Sequence, residues 1–235
     1  SPIPNGNLLR KVQCDFGWDW NIALAPFGIY GDMRIEPSNA PRIDSVLVHQ
    51  DHSDGCVLTV TTEVSNHAGE VTVLFDGVNH LVQNGVCHIP VENPQLWWPA
   101  GQGDQPLYDL TVTAGGAHTT LRVGLRNIDL VTTSDAAGLG FKFAVNGRDI
   151  FAKGANWIPA DALAGRITPE ATRDLLQSAV DANMNMIRVW GGGRYEPTLF
   201  YDSCDELGLM VWQDFMFACN LYPSDRAYLA EVKAE

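Results

Sequence analysis

The sequence lacks the features that mark several functional classes. No apolar run approaches the roughly 18 residues that a membrane-spanning helix needs, which argues against a membrane protein. Basic residues are few: 15 Lys and Arg stand against 28 Asp and Glu, so the formal net charge of the 235 residues is −13. A nucleic-acid partner is therefore not expected, because phosphate binding relies on clustered Lys and Arg. Since 46% of the residues are hydrophobic, the composition is that of a folded protein and not of a disordered chain.

Cysteine and histidine are too scattered for a metal centre. The five Cys residues form no C-x-x-C pair, and the six His residues, which fall between positions 49 and 118, have no ligand spacing. Because the cysteines are odd in number and widely separated, we expect them to act as small buried hydrophobic residues in a protein from a reducing compartment. A catalytic thiol is the alternative. The first six residues have no charged leader before an apolar core, so no signal peptide is visible and the sequence leans towards the cytoplasm.

The pattern before about residue 145 is that of an antiparallel β-sandwich. Apolar and polar residues alternate in several segments, which are separated by stretches rich in Gly, Asn, Asp and Pro. The alternating segments are residues 46–49, 57–64, 71–75 and 108–113. The region of about 85 residues between 39 and 123 has the size of one immunoglobulin-like domain, although it lacks a Cys…Trp…Cys core pattern.

Beyond residue 145 the pattern changes to alternating strands and helices. A strand at 149–152 is followed by a helix that starts with the N-cap Thr168, has Pro169 at its first position and stops at Asn183. The next elements are a strand at 186–190, a helix at 197–207 that Gly208 ends, a strand at 209–212 and an unfinished helix at 228–235. This order predicts a parallel sheet covered by helices, either an open α/β fold or the first strands of a (β/α)8 barrel. The unfinished helix and the missing initial Met predict a piece of a longer protein.

In parallel α/β folds the ligand sits at the carboxyl ends of the strands. That rule selects polar and aromatic residues after each strand, namely Asn156 and Trp157, then Arg188 and Trp190 with Gly191, Gly192 and Gly193, then Gln213, Asp214 and Phe215. Aromatic rings beside amide, carboxylate and guanidinium groups suit a sugar, whose C–H faces stack on Trp and whose hydroxyls need paired donors and acceptors. For any single Trp, packing in the core is the alternative.

Other chemistries are open at the same positions. The triple glycine could cradle a phosphate, but Glu196 occupies the place of a third spaced glycine, and a turn whose backbone passes close to a ligand is favoured. Glu196 and Asp214 could form an acid/base pair, although acids at helix N-termini commonly serve only the helix dipole. The sequence has no Gly-x-Ser-x-Gly elbow of a serine hydrolase.

The N-terminal segment contains an aspartate between two tryptophans, Trp18-Asp19-Trp20. In an extended stretch both rings point to one side, which could pack in the sandwich interior, and the Asp19 carboxylate points to the other. A solvent-facing carboxylate without a function is the alternative explanation.

Residues 10–20, continued by 28–36, resemble the end of the sugar-binding domain of β-mannosidases in glycoside hydrolase family 2. Further segments resemble that family in the same order, namely residues 93–99, 124–126, 154–159, 185–193 and 205–215. β-Galactosidases and β-glucuronidases of the family tend to have His-Tyr-Pro where this chain has Gly after Trp190, which favours the β-mannosidase branch. Asn21-Ile22 is a departure, since many β-mannosidases have Gly-Pro there, and it bears on the loop shape beside Asp19.

The resemblance implies a multidomain β and α/β fold. Its parts would be the C-terminal strands of a jelly-roll sugar-binding domain (1–38), an immunoglobulin-like β-sandwich (39–124) and the first three β/α units of a (β/α)8 TIM barrel (125–235). An incomplete barrel leaves a sheet edge and apolar faces uncovered, so we expect self-association through the truncated barrel.

The resemblance also implies an activity, the retaining hydrolysis of terminal non-reducing β-D-mannose from oligosaccharides without a metal or an organic cofactor. Both catalytic glutamates of the family, one usually in an Asn-Glu pair after the fourth strand, are expected beyond Glu235, because no Asn-Glu pair occurs here. The chain alone should then contain no catalytic residue and be inactive.

What remains in the chain, by the same resemblance, is recognition of a β-mannoside oligosaccharide. Asp19 would reach into the barrel mouth, Trp18 and Trp190 would shape the sugar subsite, and Asn156, Trp157 and Arg188 are further candidates, with a structural strand-end role as the alternative for Arg188. The alternative functions are another family 2 exo-β-glycosidase, of the β-galactosidase or β-glucuronidase type, and a non-catalytic carbohydrate-binding module.

Overall fold

The structure is a computed structural model that describes residues 6–9, 11–24, 26–35 and 39–235. Its N-terminal segment contains two short 3-10 helices, Gly6–Leu8 and Gln13–Asp15, and an antiparallel bridge between Phe16 and Ala23. In the described parts of this segment the jelly-roll strands that we expected are represented by this bridge alone. The predicted domain boundary at residue 38 lies outside the described residues.

Seven antiparallel strands form two sheets that enclose one core. The first sheet has the order β1-β2-β5 and the second β4-β3-β6-β7. The strands are β1 (Arg42–Asp51), β2 (Val57–Ser65), β3 (Val71–Phe75), β4 (Val78–Leu81), β5 (Val86–Pro90), β6 (Tyr108–Ala114) and β7 (Ala117–Val123). The four alternating segments of the sequence correspond to β1, β2, β3 and β6, so the prediction of an antiparallel β region is confirmed.

Alternation places every second side chain of these strands in the core. Leu58 and Val60 of β2 and Leu110 and Val112 of β6 are fully buried and belong to one hydrophobic cluster between the sheets. Burying such a side chain stabilises a fold by about 1.5–3 kcal/mol, and a shift of one residue would turn the same side chains to solvent. The cluster therefore fixes the register of both sheets.

The segment between the sandwich and the parallel sheet corrects one prediction. Residues 149–152 were expected to form the first parallel strand, but β12 (Arg148–Ile150) pairs antiparallel with β11 (Lys142–Val145), which also pairs with β8 (Ile128–Val131). The reason is the turn Asn146-Gly147, in which both residues have positive φ (49° and 77°), as a tight two-residue hairpin requires. A small hairpin of β9 (Ser134–Asp135) and β10 (Gly138–Leu139) lies within the same segment.

The three-stranded parallel sheet has the order β13-β14-β15 and contains the strands that the sequence-based rule connects to a ligand. Its strands are β13 (Gly154–Trp157), β14 (Met186–Val189) and β15 (Met210–Gln213), and its helices are α1 (Pro169–Asp181) and α2 (Thr198–Leu207), followed by α3 (Arg226–Ala234). The hydroxyl of Thr168 accepts a hydrogen bond from the Ala171 backbone N–H at 3.2 Å and caps α1 as predicted. Gly208 ends α2 with a φ of 76°. No helix in the described ranges is long and apolar enough to cross a membrane.

The two faces of the parallel sheet have different surroundings. Ile187 and Val189 are buried against the helices, in a cluster that includes Phe200 of α2. On the opposite face Met186 and Met210 pack against Trp97, Val145 and Ile150 near the amino ends of the strands. Asn156, Arg188 and Trp212 follow on that face towards the carboxyl ends, where Trp212 is 41% exposed. At this end of the sheet β13 and β14 therefore present polar groups, and β15 presents a partly exposed ring that stacks on Phe141.

Helix α2 joins the parallel sheet to the sandwich. Arg126 pairs with Asp205 of α2 at 2.8 Å, and Arg122 pairs with Glu206. The buried indole of Trp97 donates to the Asp205 carbonyl at 2.7 Å. Burial raises the pKa of the Asp205 carboxyl, while Arg126 opposes this shift. Charged and aromatic groups together thus hold the two parts of the chain in one arrangement.

Candidate functional site

Arg188 connects the carboxyl ends of the three parallel strands. Its guanidinium donates to both carboxylate oxygens of Asp214, at 3.2 and 2.5 Å, and to the side-chain oxygen of Asn156 at 2.9 Å. Asp214 also accepts a hydrogen bond from the Gly191 backbone N–H at 3.1 Å. The sequence had selected Asn156, Arg188 and Asp214 separately, and the structure brings them together. Because the guanidinium retains further N–H groups, Arg188 can clamp the strands and still donate to a ligand.

The backbone of the loop after β14 passes so close to neighbouring atoms that only glycine fits at Gly191 and Gly192. A Cβ atom on Gly191 would meet the carbonyl oxygens of Phe215 and Phe217, and one on Gly192 would meet the ring of Trp190. The close neighbours of this loop within the protein are the Phe215–Phe217 backbone and the Trp190 ring. Its close approach to a ligand stays a prediction.

The segment Trp18-Asp19-Trp20 forms a tight turn and not the extended stretch that we expected. The backbones of Trp18 and Asn21 exchange two hydrogen bonds, with N···O distances of 3.0 and 3.3 Å, so Asp19 and Trp20 are the central residues of the turn. Neither ring enters the sandwich interior. The Trp18 and Trp20 rings both meet the ring of Trp190, with centroids 5.0 and 5.8 Å away.

These ring contacts place the Asp19 turn beside the loop that follows β14, and hence at the carboxyl end of the parallel sheet. The Cys14 backbone N–H adds a hydrogen bond to the Gly192 carbonyl at 3.0 Å. The Asp19 side chain is exposed at the tip of the turn. An exposed carboxylate next to an aromatic cluster can accept hydrogen bonds from the hydroxyls of a sugar.

Trp157 has a different environment from the other candidates. Its ring packs on Phe200 with centroids 4.9 Å apart, and its indole N–H donates to the buried carboxylate of Glu196 at 3.1 Å. A carboxylate oxygen of Glu196 also lies 3.5 Å from the Arg194 guanidinium. Glu196 and Asp214 therefore have separate partners, which argues against an acid/base pair, and Trp157 faces the helix layer.

Two cavities lie along the N-terminal segment. Of the residues selected at the strand ends, Phe215 lines the first of them, whereas Asp19, Asn156 and Arg188 line neither. One of about 540 Å³ lies between the first 3-10 helices, the residues after β15 and helix α3. The other, of about 680 Å³, lies between residues 26–30 and the loop 159–165. Lys11 and Tyr195 contribute to both cavities.

Two residues of the site were missed as binding candidates. The sequence pattern presents Trp20 only as a neighbour of Asp19, although it contacts Trp190 as Trp18 does. Asn21 stands out in the sequence only as a departure from the family resemblance, yet it closes the turn. The available signal was the turn-forming tendency of Asp and Asn in Asp19-Trp20-Asn21.

All five cysteines are free thiols, and four of them are buried, as the sequence predicted. Burial raises the pKa of Cys14 to about 11 and that of Cys204 to about 12, so neither is a reactive thiolate near neutral pH. Cys219 differs because it is exposed. Among the described residues no group of three or more His, Cys, Asp or Glu side chains is arranged to hold a metal ion. The cytoplasmic location stays a prediction.

Two family models match the chain, one over the N-terminal segment and the other over the sandwich. "Glycosyl hydrolase 2 galactose-binding domain-like" matches residues 2–31, and "Glycosyl hydrolases family 2" matches residues 43–126, which covers the sandwich. Fold, order and matches define the class: the chain belongs to glycosyl hydrolase family 2.

Within that family the whole chain is similar to β-mannosidases. The β-mannosidase of Capra hircus is 39% identical over 100% of this chain and 30% of its own length. The β-D-mannosidase structure of Dictyoglomus thermophilum has a TM-score of 0.86 at 36% identity, covering 96% of this chain and 30% of that one. The exo-chitosanase of Amycolatopsis orientalis is more distant, with a TM-score of 0.60 and 28% identity over 74% of this chain and 22% of its own. The chain thus spans about 30% of the length of the β-mannosidases that it matches.

Proposed function

We propose that this chain is part of an exo-β-mannosidase that removes terminal non-reducing β-D-mannose residues from oligosaccharides with retention of configuration. The observation that carries the proposal is the similarity of the entire chain to β-mannosidases, in sequence (39% identity) and in fold (TM-score 0.86). The 235 residues correspond to the segment that recognises the sugar, and the remainder of the full-length enzyme supplies the catalytic groups.

The parallel sheet is, in this proposal, the first three β/α units of a (β/α)8 barrel. The strand order β13-β14-β15 follows the chain, the helices lie on one face, and the other face becomes polar towards the carboxyl ends. In such barrels the interior is lined by the face opposite the helices, and the active site lies at the carboxyl ends of the strands. Arg188 with its two partners would then stand at the base of the active site.

Asp19 is the proposed principal sugar contact. Its carboxylate would accept hydrogen bonds from two hydroxyls of the terminal mannose, which gives charge-assisted bonds of well-defined direction. Trp18 and Trp190 would form the wall beside it, since their rings meet at 5.0 Å and bring the turn to the carboxyl end of the sheet. Asn156 and Arg188 are proposed as weaker polar contacts. Trp157 supports the site through its packing on Phe200.

The catalytic glutamates are proposed to lie outside these residues. Retaining hydrolysis needs two carboxyl groups about 5–5.5 Å apart, one as acid/base and one as nucleophile. The acids at this end of the sheet are engaged elsewhere, Glu196 with Trp157 and Asp214 with Arg188. We therefore propose that the isolated chain is inactive. We also propose that the full-length enzyme works without a metal or an organic cofactor, because two carboxyl groups suffice for retaining hydrolysis.

The test is an assay of the full-length enzyme and of the 235-residue chain on aryl β-mannoside, β-galactoside, β-glucuronide and β-glucosaminide. We expect the full-length enzyme to prefer the mannoside, with the β-anomer of mannose as the first product by NMR, and the chain alone to give no turnover. The glucosaminide represents the second candidate, because an exo-chitosanase shares the fold at a TM-score of 0.60. A preference for another glycoside, or inactivity of the full-length protein on all four, would overturn the β-mannosidase proposal. Turnover by the isolated chain would refute the placement of the glutamates.

A further inference from the structure

The turn that presents Asp19 lacks the backbone conformation of the favoured two-residue hairpin turns. The two-residue hairpin turns that match the twist of their flanking strands, types I′ and II′, need positive φ at the first central residue. Asp19 is not among the positive-φ residues of the described chain. The position of its carboxylate must therefore depend on contacts made by the residues around the turn.

Asn21 supplies such a contact. Its side-chain amide donates a hydrogen bond to the Cys14 carbonyl at 3.0 Å, seven residues back along the chain. The backbone of Asn21 also closes the turn through its two hydrogen bonds with Trp18. One residue thus joins the closing pair of the turn to the segment that precedes it.

Cys14 is a fixed point for this contact. The residue is fully buried, and its backbone N–H donates to the Gly192 carbonyl in the loop after β14. Its carbonyl accepts from both the Asn21 amide and the Gly17 backbone N–H, the latter at 3.1 Å. The Asn21 side chain therefore ties the Asp19 turn, through the backbone of the single residue Cys14, to the loop at the carboxyl end of the parallel sheet.

We infer that Asn21 is a positioning residue that holds Asp19 at the sugar subsite. The inference rests on the proposed function and adds to it a residue that does not touch substrate. The aromatic contacts with Trp190 limit how far the turn can move towards the sheet, whereas the amide of Asn21 limits how it rotates about that contact. Misplacing a binding group by even about 1 Å can lower a rate by up to about a hundredfold.

The experiment is a double-mutant cycle in the full-length enzyme, with kcat/KM on an aryl β-mannoside as the readout. We expect Asn21→Ala to lower kcat/KM about tenfold, which corresponds to about 1.4 kcal/mol, in the parent. In the Asp19→Ala background the same substitution should change kcat/KM less than twofold, because the residue through which Asn21 acts is gone. The isosteric Asn21→Asp, which loses the donor and keeps the shape, should behave like Asn21→Ala and covers the case in which the alanine variant does not fold.

A control for lost stability is Asn146→Ala, in the hairpin between β11 and β12. It removes an amide that donates to the Trp97 carbonyl and an oxygen that accepts from the Asn127 N–H, both at 3.0 Å. Although it costs at least as many hydrogen bonds as Asn21→Ala, it should leave kcat/KM within twofold of the parent. Equal losses for Asn21→Ala in both backgrounds, or no loss in the parent, would overturn the inference while leaving the proposed function intact. A parent enzyme that cleaves no β-mannoside would overturn both, and an effect of Asn146→Ala as large as that of Asn21→Ala would show that stability alone explains the result.

Discussion

Replacing Arg188 by Met would test whether the polar cluster at the end of the parallel sheet stabilises the fold. The substitution keeps an unbranched apolar stem and removes the guanidinium, which donates to Asp214 at 3.2 and 2.5 Å and to Asn156 at 2.9 Å. Asp214 would retain the Gly191 N–H at 3.1 Å. Asn156, which is exposed, can exchange its lost bond for water.

The expected loss follows from the partial burial of the pair. Ion pairs on the surface contribute about 0–1 kcal/mol, whereas breaking a buried pair costs about 3–5 kcal/mol. The side chains of Arg188 and Asp214 are 37% and 19% exposed, so solvent screens the pair in part and the cost lies between these limits. We expect Arg188→Met to lower the free energy of unfolding by about 2 kcal/mol, or the melting temperature by about 4–8 °C for a chain of this length.

The assay is thermal and urea unfolding of the 235-residue chain, followed by near-ultraviolet circular dichroism. Arg173→Met is the matched control, because Arg173 lies on α1, is 48% exposed and pairs with Glu206 at 2.8 Å. We expect this control to cost no more than about 0.5 kcal/mol. A loss of about 0.5 kcal/mol or less for Arg188→Met, no larger than that of the control, would refute the stabilising role of the cluster.

Three further outcomes are expected. In the full-length enzyme Asp19→Ala should lower kcat/KM on a β-mannoside by about a hundredfold or more. Because the carboxylate is exposed, the free energy of unfolding should change by less than about 0.5 kcal/mol. Activity within threefold of the parent would remove Asp19 from the site. Arg122 holds the pKa of the Glu206 carboxyl below its usual range, so the pair stabilises the fold at pH values above that range, and this contribution is lost as the pH falls through the lowered pKa. When urea unfolding is measured at stepwise lower pH, the free energy of unfolding should therefore depend less on acid in Glu206→Gln than in the parent. An unchanged dependence would exclude this role. The isolated chain should self-associate through the face of the parallel sheet that carries Trp212, which is 41% exposed and stacks on Phe141, itself 59% exposed, with ring centroids 5.9 Å apart. Analytical ultracentrifugation that shows only a monomer at all concentrations would contradict this.

Local pattern was sufficient to predict the sandwich and the helices. Alternation placed β2, β3 and β6, and Thr168, Pro169 and Gly208 marked helix ends that the structure reproduces. The first parallel strand was misplaced because the apolar run near Ile150 outweighed the turn Asn146-Gly147, which is a strong hairpin signal. The sequence of β13, Gly154-Ala155-Asn156-Trp157, contains no apolar run, and it becomes a strand through its pairing with β14.

The polar part of the site could be predicted from topology, since parallel strands bring their carboxyl ends together. This is why Asn156, Arg188 and Asp214 were selected before their contacts were visible. The rule says where groups meet but not whether they bind a ligand or one another. It could not show that Arg188 would be shared between its two neighbours.

The location of Asp19 depends on contacts that no local pattern contains. The rings of its turn meet Trp190, and the Cys14 N–H just before the turn meets the Gly192 carbonyl, far along the chain. Those contacts exist only once the loop after β14 has formed. The glycines of that loop bring it close enough for the contacts, because a side chain at Gly192 would meet the Trp190 ring. A substitution at Gly192 should therefore displace the Asp19 turn as well as the loop. The triple glycine and Trp18-Asp19-Trp20, which the sequence presents as separate motifs, are two sides of one contact surface.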